Sequence, residues 1–114
     1  MGALLDRYRE FMLPGRVEIL EHLGRLLKGV RILRPNSTKS GGGVAEMIQS
    51  LEPLFRDLEI DHRWEVIQGP PEFYALTKSF HNALQGREMI LSTAQKSLYQ
   101  DVVRANAARL GLAA

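Results

Sequence analysis

The chain is 114 residues long, 45% hydrophobic and 25% charged, with a net charge of +2 and no cysteine. That length suits one small domain with a core of its own, and the missing cysteine excludes disulfides, iron–sulfur clusters and thiolate zinc sites. The basic excess is scattered over the two flanks while residues 35–70 are acidic, which argues against the clustered patch of a nucleic-acid-binding surface.

In chain order, Leu4, Leu5, Tyr8, Phe11 and Met12 recur at helical spacing and end at Pro14-Gly15, which predicts a short helix. Val17, Leu20, Leu23 and Leu27 predict a second amphipathic helix with Gly29 as its stop. Together, residues 1–28 read as a helical lead-in. Val30-Arg31-Ile32-Leu33-Arg34 is short and β-branched enough for a strand. A polar loop, Asn36-Ser37-Thr38-Lys39-Ser40-Gly41-Gly42-Gly43, comes next.

Val44, Met47, Ile48, Leu51, Leu54, Phe55 and Leu58 then form the clearest helical stripe in the chain. Pro53 lies inside it, and a kink or break is expected near residues 49–52. Asp61 to Ile67 alternate, with His62, Trp64 and Val66 on one face, as in a second strand. Residues 29–68 are thus expected to run strand, glycine loop, helix, strand. Pro71 suits the first turn of the next helix, whose face is Phe73, Leu76, Thr77, Phe80 and Leu84 and whose stop is Gly86. Ser92-Thr93-Ala94-Gln95 matches a capping box for a last helix, which ends before Gly111. Residues 70–114 are therefore helical.

No apolar run approaches the roughly 20 residues of a membrane span. The opening Met1-Gly2-Ala3-Leu4-Leu5-Asp6 lacks a signal-peptide layout, and Asp6 stands where a myristoylation pattern needs Ser or Thr. A cytoplasmic protein without membrane or nucleic-acid partners is expected. Two strands joined through a helix are most naturally parallel. Two parallel strands make a poor sheet by themselves, because parallel sheets are normally wider and covered on both faces. The expected fold is therefore an α/β, incomplete Rossmann-like unit with few parallel strands and several flanking helices. It reads as a single partial domain over residues 1–114. Either further chain or a second copy, in a homo-oligomer, is expected to complete the sheet.

A glycine-rich turn between strand and helix lets a ligand approach unpaired backbone N–H groups, and phosphate and sugar oxygens both suit such a place. The loop lacks G-x-G-x-x-G, and Lys39 precedes the glycines, the wrong order for an NTP-binding loop. A flexible connection and a ligand cradle both fit this pattern.

Several blocks carry a wider likeness. Asn36-Ser37-Thr38, Gly41-Gly42-Gly43-Val44-Ala45-Glu46, Leu51-Glu52-Pro53-Leu54 and Arg56-Asp57-Leu58 resemble the opening of glycosyltransferring trehalose synthases and the related trehalose phosphorylases. Trp64-Glu65-Val66-Ile67, Gly69, Pro71-Glu72-Phe73, Thr77-Lys78 and Phe80-His81-Asn82-Ala83-Leu84-Gln85-Gly86 resemble the next blocks of the same family, in the same order. The likeness runs from about Leu5 to Ala108. It departs at Lys39-Ser40, where a pair such as Ala-Tyr is expected.

The resemblance implies the N-terminal part of a retaining GT-B glycosyltransferase of family 4. Such an enzyme moves glucose from a nucleotide sugar to an acceptor such as glucose, without a metal or other cofactor. It places Ser40, Gly41, Gly42 and Gly43 at a substrate cleft and makes Glu46, His81 and Asn82 possible acceptor contacts; it assigns no catalytic residue. By resemblance, the donor domain lies outside these residues, so the chain alone is expected to be inactive. A non-enzymatic self-associating module and a small phosphate- or sugar-binding domain are the alternatives. His22 and His62 have no metal-ligand spacing with His81 and read as structural or surface groups, and Trp64 reads as core.

Overall fold

The computed structural model describes residues 2–112. The chain divides into two compact units, Met1–Val66 and Ile67–Ala114. The first holds α1 (Ala3–Tyr8), α2 (Arg16–Leu26), β1 (Arg31–Asn36), α3 (Gly43–Asp57) and β2 (Asp61–Val66). The second holds α4 (Pro71–Leu84) and α5 (Thr93–Arg109).

In the first unit β1 and β2 pair in parallel, with Ile32 opposite His62, Arg34 opposite Trp64 and Asn36 opposite Val66. Because side chains alternate along a strand, these six residues share one face. The helix α3 crosses that face, where Ala45 and Ile48 pack on Trp64 as one buried cluster. Phe55 extends the contact by stacking on His62, ring centroids 4.8 Å apart. In turn α1 packs against α3 and α2, burying Leu5 and Val17. The result is the mixed α/β, incomplete Rossmann-like unit that the sequence implies, with two parallel strands and flanking helices.

A tertiary cap seats α1. The Asp57 carboxylate, at the end of α3, accepts from the backbone N–H groups of Leu4 and Leu5, both at 2.9 Å. Those donors have no partner inside their own helix, and a carboxylate also suits the positive end of the helix dipole. Position 2 must be glycine for this contact, since a Cβ there would lie 1.9 Å from an Asp57 carboxylate oxygen.

Two expectations need correction. The break near residues 49–52 is absent, and α3 is a continuous helix through Pro53. Pro53 removes a hydrogen bond to the Gln49 carbonyl, but both residues lie on the exposed side of α3, where solvent can reach the orphaned carbonyl and the helix bears the cost without breaking. The first strand also runs two residues further than expected, to Asn36, with Pro35 opposite Glu65. In a two-stranded sheet each strand has an outer edge, which is where proline is tolerated.

In the second unit Phe73, Leu76, Val102 and Leu110 are buried. Phe73 and Phe80 of α4 both meet the Tyr99 ring of α5, at 6.0 and 5.4 Å between centroids. The Ser92 capping box forms as expected: Ser92 Oγ accepts from Gln95 N–H at 3.1 Å and Gln95 Oε1 accepts from Ser92 N–H at 3.0 Å. Asn106 is the buried polar residue of this unit. Its side-chain amide accepts from the Gln68 N–H at 2.9 Å and donates to the Gln68 and Val102 carbonyls at 2.7 and 2.8 Å. It thereby ties the chain entering α4 to α5.

Candidate functional site

The loop between β1 and α3 is built from its own side chains. Asn36 Nδ2 donates to the Thr38 carbonyl at 2.9 Å. The Thr38 hydroxyl accepts from the Ser40 N–H at 3.0 Å and donates to the Ser40 carbonyl at 2.7 Å. Gln49, two turns into α3, donates through Nε2 to the Lys39 carbonyl at 2.7 Å. These bonds fold residues 36–40 back on themselves and peg them to the helix, so a polar, glycine-rich stretch is held in one shape.

Beyond that peg the backbone turns through Gly41 (φ +74°) and Gly42 (φ +85°), left-handed values that side chains with a Cβ rarely adopt. A Cβ built at Gly41, Gly42 or Gly43 would meet nothing within 4 Å. The glycines thus serve backbone conformation and leave open space over the chain. Gly42 is the N-cap of α3 and supplies no side-chain cap. The three glycines therefore leave the space over their own backbone open where this 15-residue helix begins, an arrangement that suits oxygen-rich and anionic groups.

Trp64 lies under this region in the core, 6% exposed, and its indole N–H is buried without a hydrogen-bond partner. The Lys39 ammonium sits over its ring, 5.4 Å from the centroid. On the same sheet face, the Arg34 guanidinium stands 5.7 Å from the Phe55 centroid. Both ring nitrogens of His62 are likewise buried without a partner. Burial, with the Arg34 charge adding to it and Glu52 opposing, holds the His62 pKa below the usual imidazole value.

The expected site residues divide between the units. Ser40, Gly41, Gly42, Gly43 and Glu46 belong to the first, all exposed and contiguous around the start of α3. His81 and Asn82 belong to the second, near the end of α4. His81 is exposed and its Nε2 lies 3.2 Å from Gln85 Nε2 one turn on. The Asn82 carbonyl accepts from Gln85 and Arg87 N–H groups at 3.1 Å each, closing the helix. His22 lies on α2, away from the loop in sequence. Among the described residues, no three His, Asp or Glu side chains come together as a metal site, and no helix is long and apolar enough to cross a membrane. Sequence reasoning missed Lys39 over Trp64; the available signal was a cation in a loop that leads from one strand to a helix packed on the next.

Known proteins are similar to this sequence. Residues 34–114 match the family model described as "Trehalose synthase, N-terminal domain". The chain is 44% identical over 112 residues to the trehalose synthase of Thermococcus litoralis, which covers 97% of this chain and 27% of that protein. It is 40% identical over 108 residues to the trehalose synthase of Rubrobacter xylanophilus, covering 95% and 26%. A trehalose phosphorylase of Pleurotus pulmonarius is 37% identical over 84 residues, covering 72% of this chain and 11% of that protein. The chain thus spans about a quarter of the length of the trehalose synthases it matches.

Proposed function

The chain belongs to the trehalose synthase N-terminal domain family, and from that premise we propose that it forms the N-terminal part of a retaining GT-B glycosyltransferase. The reaction moves glucose from a nucleotide sugar to a sugar acceptor such as glucose, without a metal. Support for the sugar chemistry comes from relatives named as trehalose synthases and trehalose phosphorylases. The observation that carries the site is the open backbone at Gly41, Gly42 and Gly43, leading into an N-terminus of α3 that no side chain caps.

In this reading the backbone N–H groups at residues 41–44 face the donor's phosphate oxygens or the transferred sugar. Charge building on the leaving phosphate is stabilised there by dipoles already in position, which costs no reorganisation during the reaction. Glu46, in the first turn of α3, contributes an acceptor contact. The protein is cytoplasmic, and the 114 residues alone do not turn over substrate, because the loop supplies one side of the donor site and the rest lies in a separate domain. The test pairs two measurements on this chain. With UDP-glucose or ADP-glucose, the amide NMR signals of residues 41–44 shift, while trehalose formation from added glucose is undetectable. Unmoved amides with every donor would remove the loop from the site, and measurable turnover would overturn the division of labour.

A further inference from the structure

From the end of β1 to the first turn of α3, residues 37–46 contain two charged side chains, Lys39 and Glu46. Glu46 places a negative charge in the first turn; this complements the helix dipole but opposes an anionic ligand. Lys39 is the local group that can offset it. Its main chain is fixed by the Gln49 hydrogen bond to its carbonyl, while its side chain reaches the Trp64 face. The indole N–H has no partner, so Trp64 is positioned by packing against Ala45 and Ile48 and by the ammonium above it. A cation over a ring at the protein surface is held more weakly than one donating charge-assisted hydrogen bonds to phosphate.

We propose that Lys39 is a specificity-determining residue of the glycine-loop site, its ammonium resting on Trp64 in the unliganded protein and moving to the phosphate oxygens of a bound nucleotide sugar. This rests on the reading above, that the loop meets the donor. It adds that the loop discriminates by charge: a phosphate-bearing ligand draws Lys39 off the indole, and a neutral sugar does not. The Trp64 ring then loses the cation over its face on binding.

The chain contains a single tryptophan, so intrinsic fluorescence reports this ring alone. The experiment titrates wild type, Lys39→Met and Lys39→Arg with UDP-glucose, inorganic pyrophosphate and glucose at constant ionic strength. Trp64 emission and the amide shifts of residues 41–44 are followed together. Methionine keeps an unbranched apolar chain over the ring without the charge. In wild type, the two phosphate ligands are expected to change emission and amide shifts along one binding curve, with glucose leaving emission unchanged. Lys39→Met binds them about tenfold more weakly with flat emission, and Lys39→Arg restores most of the affinity. Amide shifts in wild type with unchanged emission, or equal affinity in Lys39→Met, would overturn the role of Lys39 while leaving the loop as a donor site. Unmoved amides in wild type would remove both.

Discussion

At the residue scale, a buried polar side chain and a half-buried one set measurable terms in the stability. Asn106 satisfies both the N–H and the carbonyl of Gln68, a segment with no helix or strand to pair with. Asn106→Ala removes a partner from each, and leaving such groups unmade costs more than the bond itself contributes. The variant is expected to lose about 2–3 kcal/mol in urea denaturation. A loss within error of zero would mean that water substitutes freely and that Asn106 is no clamp. His62 behaves differently, since both its ring nitrogens are shielded from solvent without hydrogen bonds and its pKa is lowered. The folded protein holds it neutral, so the unfolded chain takes up the proton first as pH falls. Its contribution is full above the unfolded pKa, about 6.5, and is lost as pH falls below that value toward the lower folded pKa. Arg34 and Glu52 are the charged groups that act on it, in opposite directions. His62→Phe, which keeps a ring against Phe55, should flatten the stability profile below about pH 6.5. A variant with the same acid slope as wild type would assign that slope elsewhere.

At the element scale, the first and third helices show what a residue-by-residue reading of sequence can miss. The periodicity of α3 and its pairing with two short strands were legible in the apolar pattern, and the Ser92-Thr93-Ala94-Gln95 signal located the start of α5. The seating of α1 was not legible, because its cap comes from Asp57, far along the chain. Asp57→Ala is expected to cost about 1–2 kcal/mol. Asp57→Asn, which keeps an acceptor and loses the charge, should cost less. Equal losses would show that electrostatics adds nothing to the cap. Pro53 misled for the opposite reason: a strong local rule was outweighed by where the residue sits. The lost hydrogen bond faces solvent, and the inner side of α3 still packs on Trp64 through Ala45 and Ile48. The helix nonetheless carries the cost, so Pro53→Ala should raise the urea midpoint, by about 1–3 kcal/mol in stability after the smaller gain in unfolded-chain entropy is subtracted. An unchanged or lower midpoint would mean that proline fits this helix without strain.

At the scale of the whole molecule, the fold class was legible because a strand, a crossover helix and a second strand leave few topologies. The candidate site was only half legible. Gly41, Gly42 and Gly43 announce an open backbone, but no sequence pattern links them to His81 and Asn82, which fold in the other unit. Nor does helical periodicity say which apolar faces remain uncovered. Phe11 is 84% exposed, Leu84 89% and Ile90 94%, and a two-stranded parallel sheet is narrower than such sheets normally are. Large apolar side chains in water favour any contact that buries them. For a chain that spans about a quarter of its relatives' length, such surface favours association in the absence of other cover. The isolated 114 residues are therefore expected to self-associate, with sedimentation velocity giving a weight-average mass that rises with concentration. Charged replacements test the cause: Phe11→Lys and Ile90→Lys should each shift the distribution toward monomer without lowering the urea midpoint, because neither side chain contributes to a core. A monomeric mass at every concentration would show that scattered apolar exposure is tolerated here, and would remove the case for a homo-oligomer built on these faces.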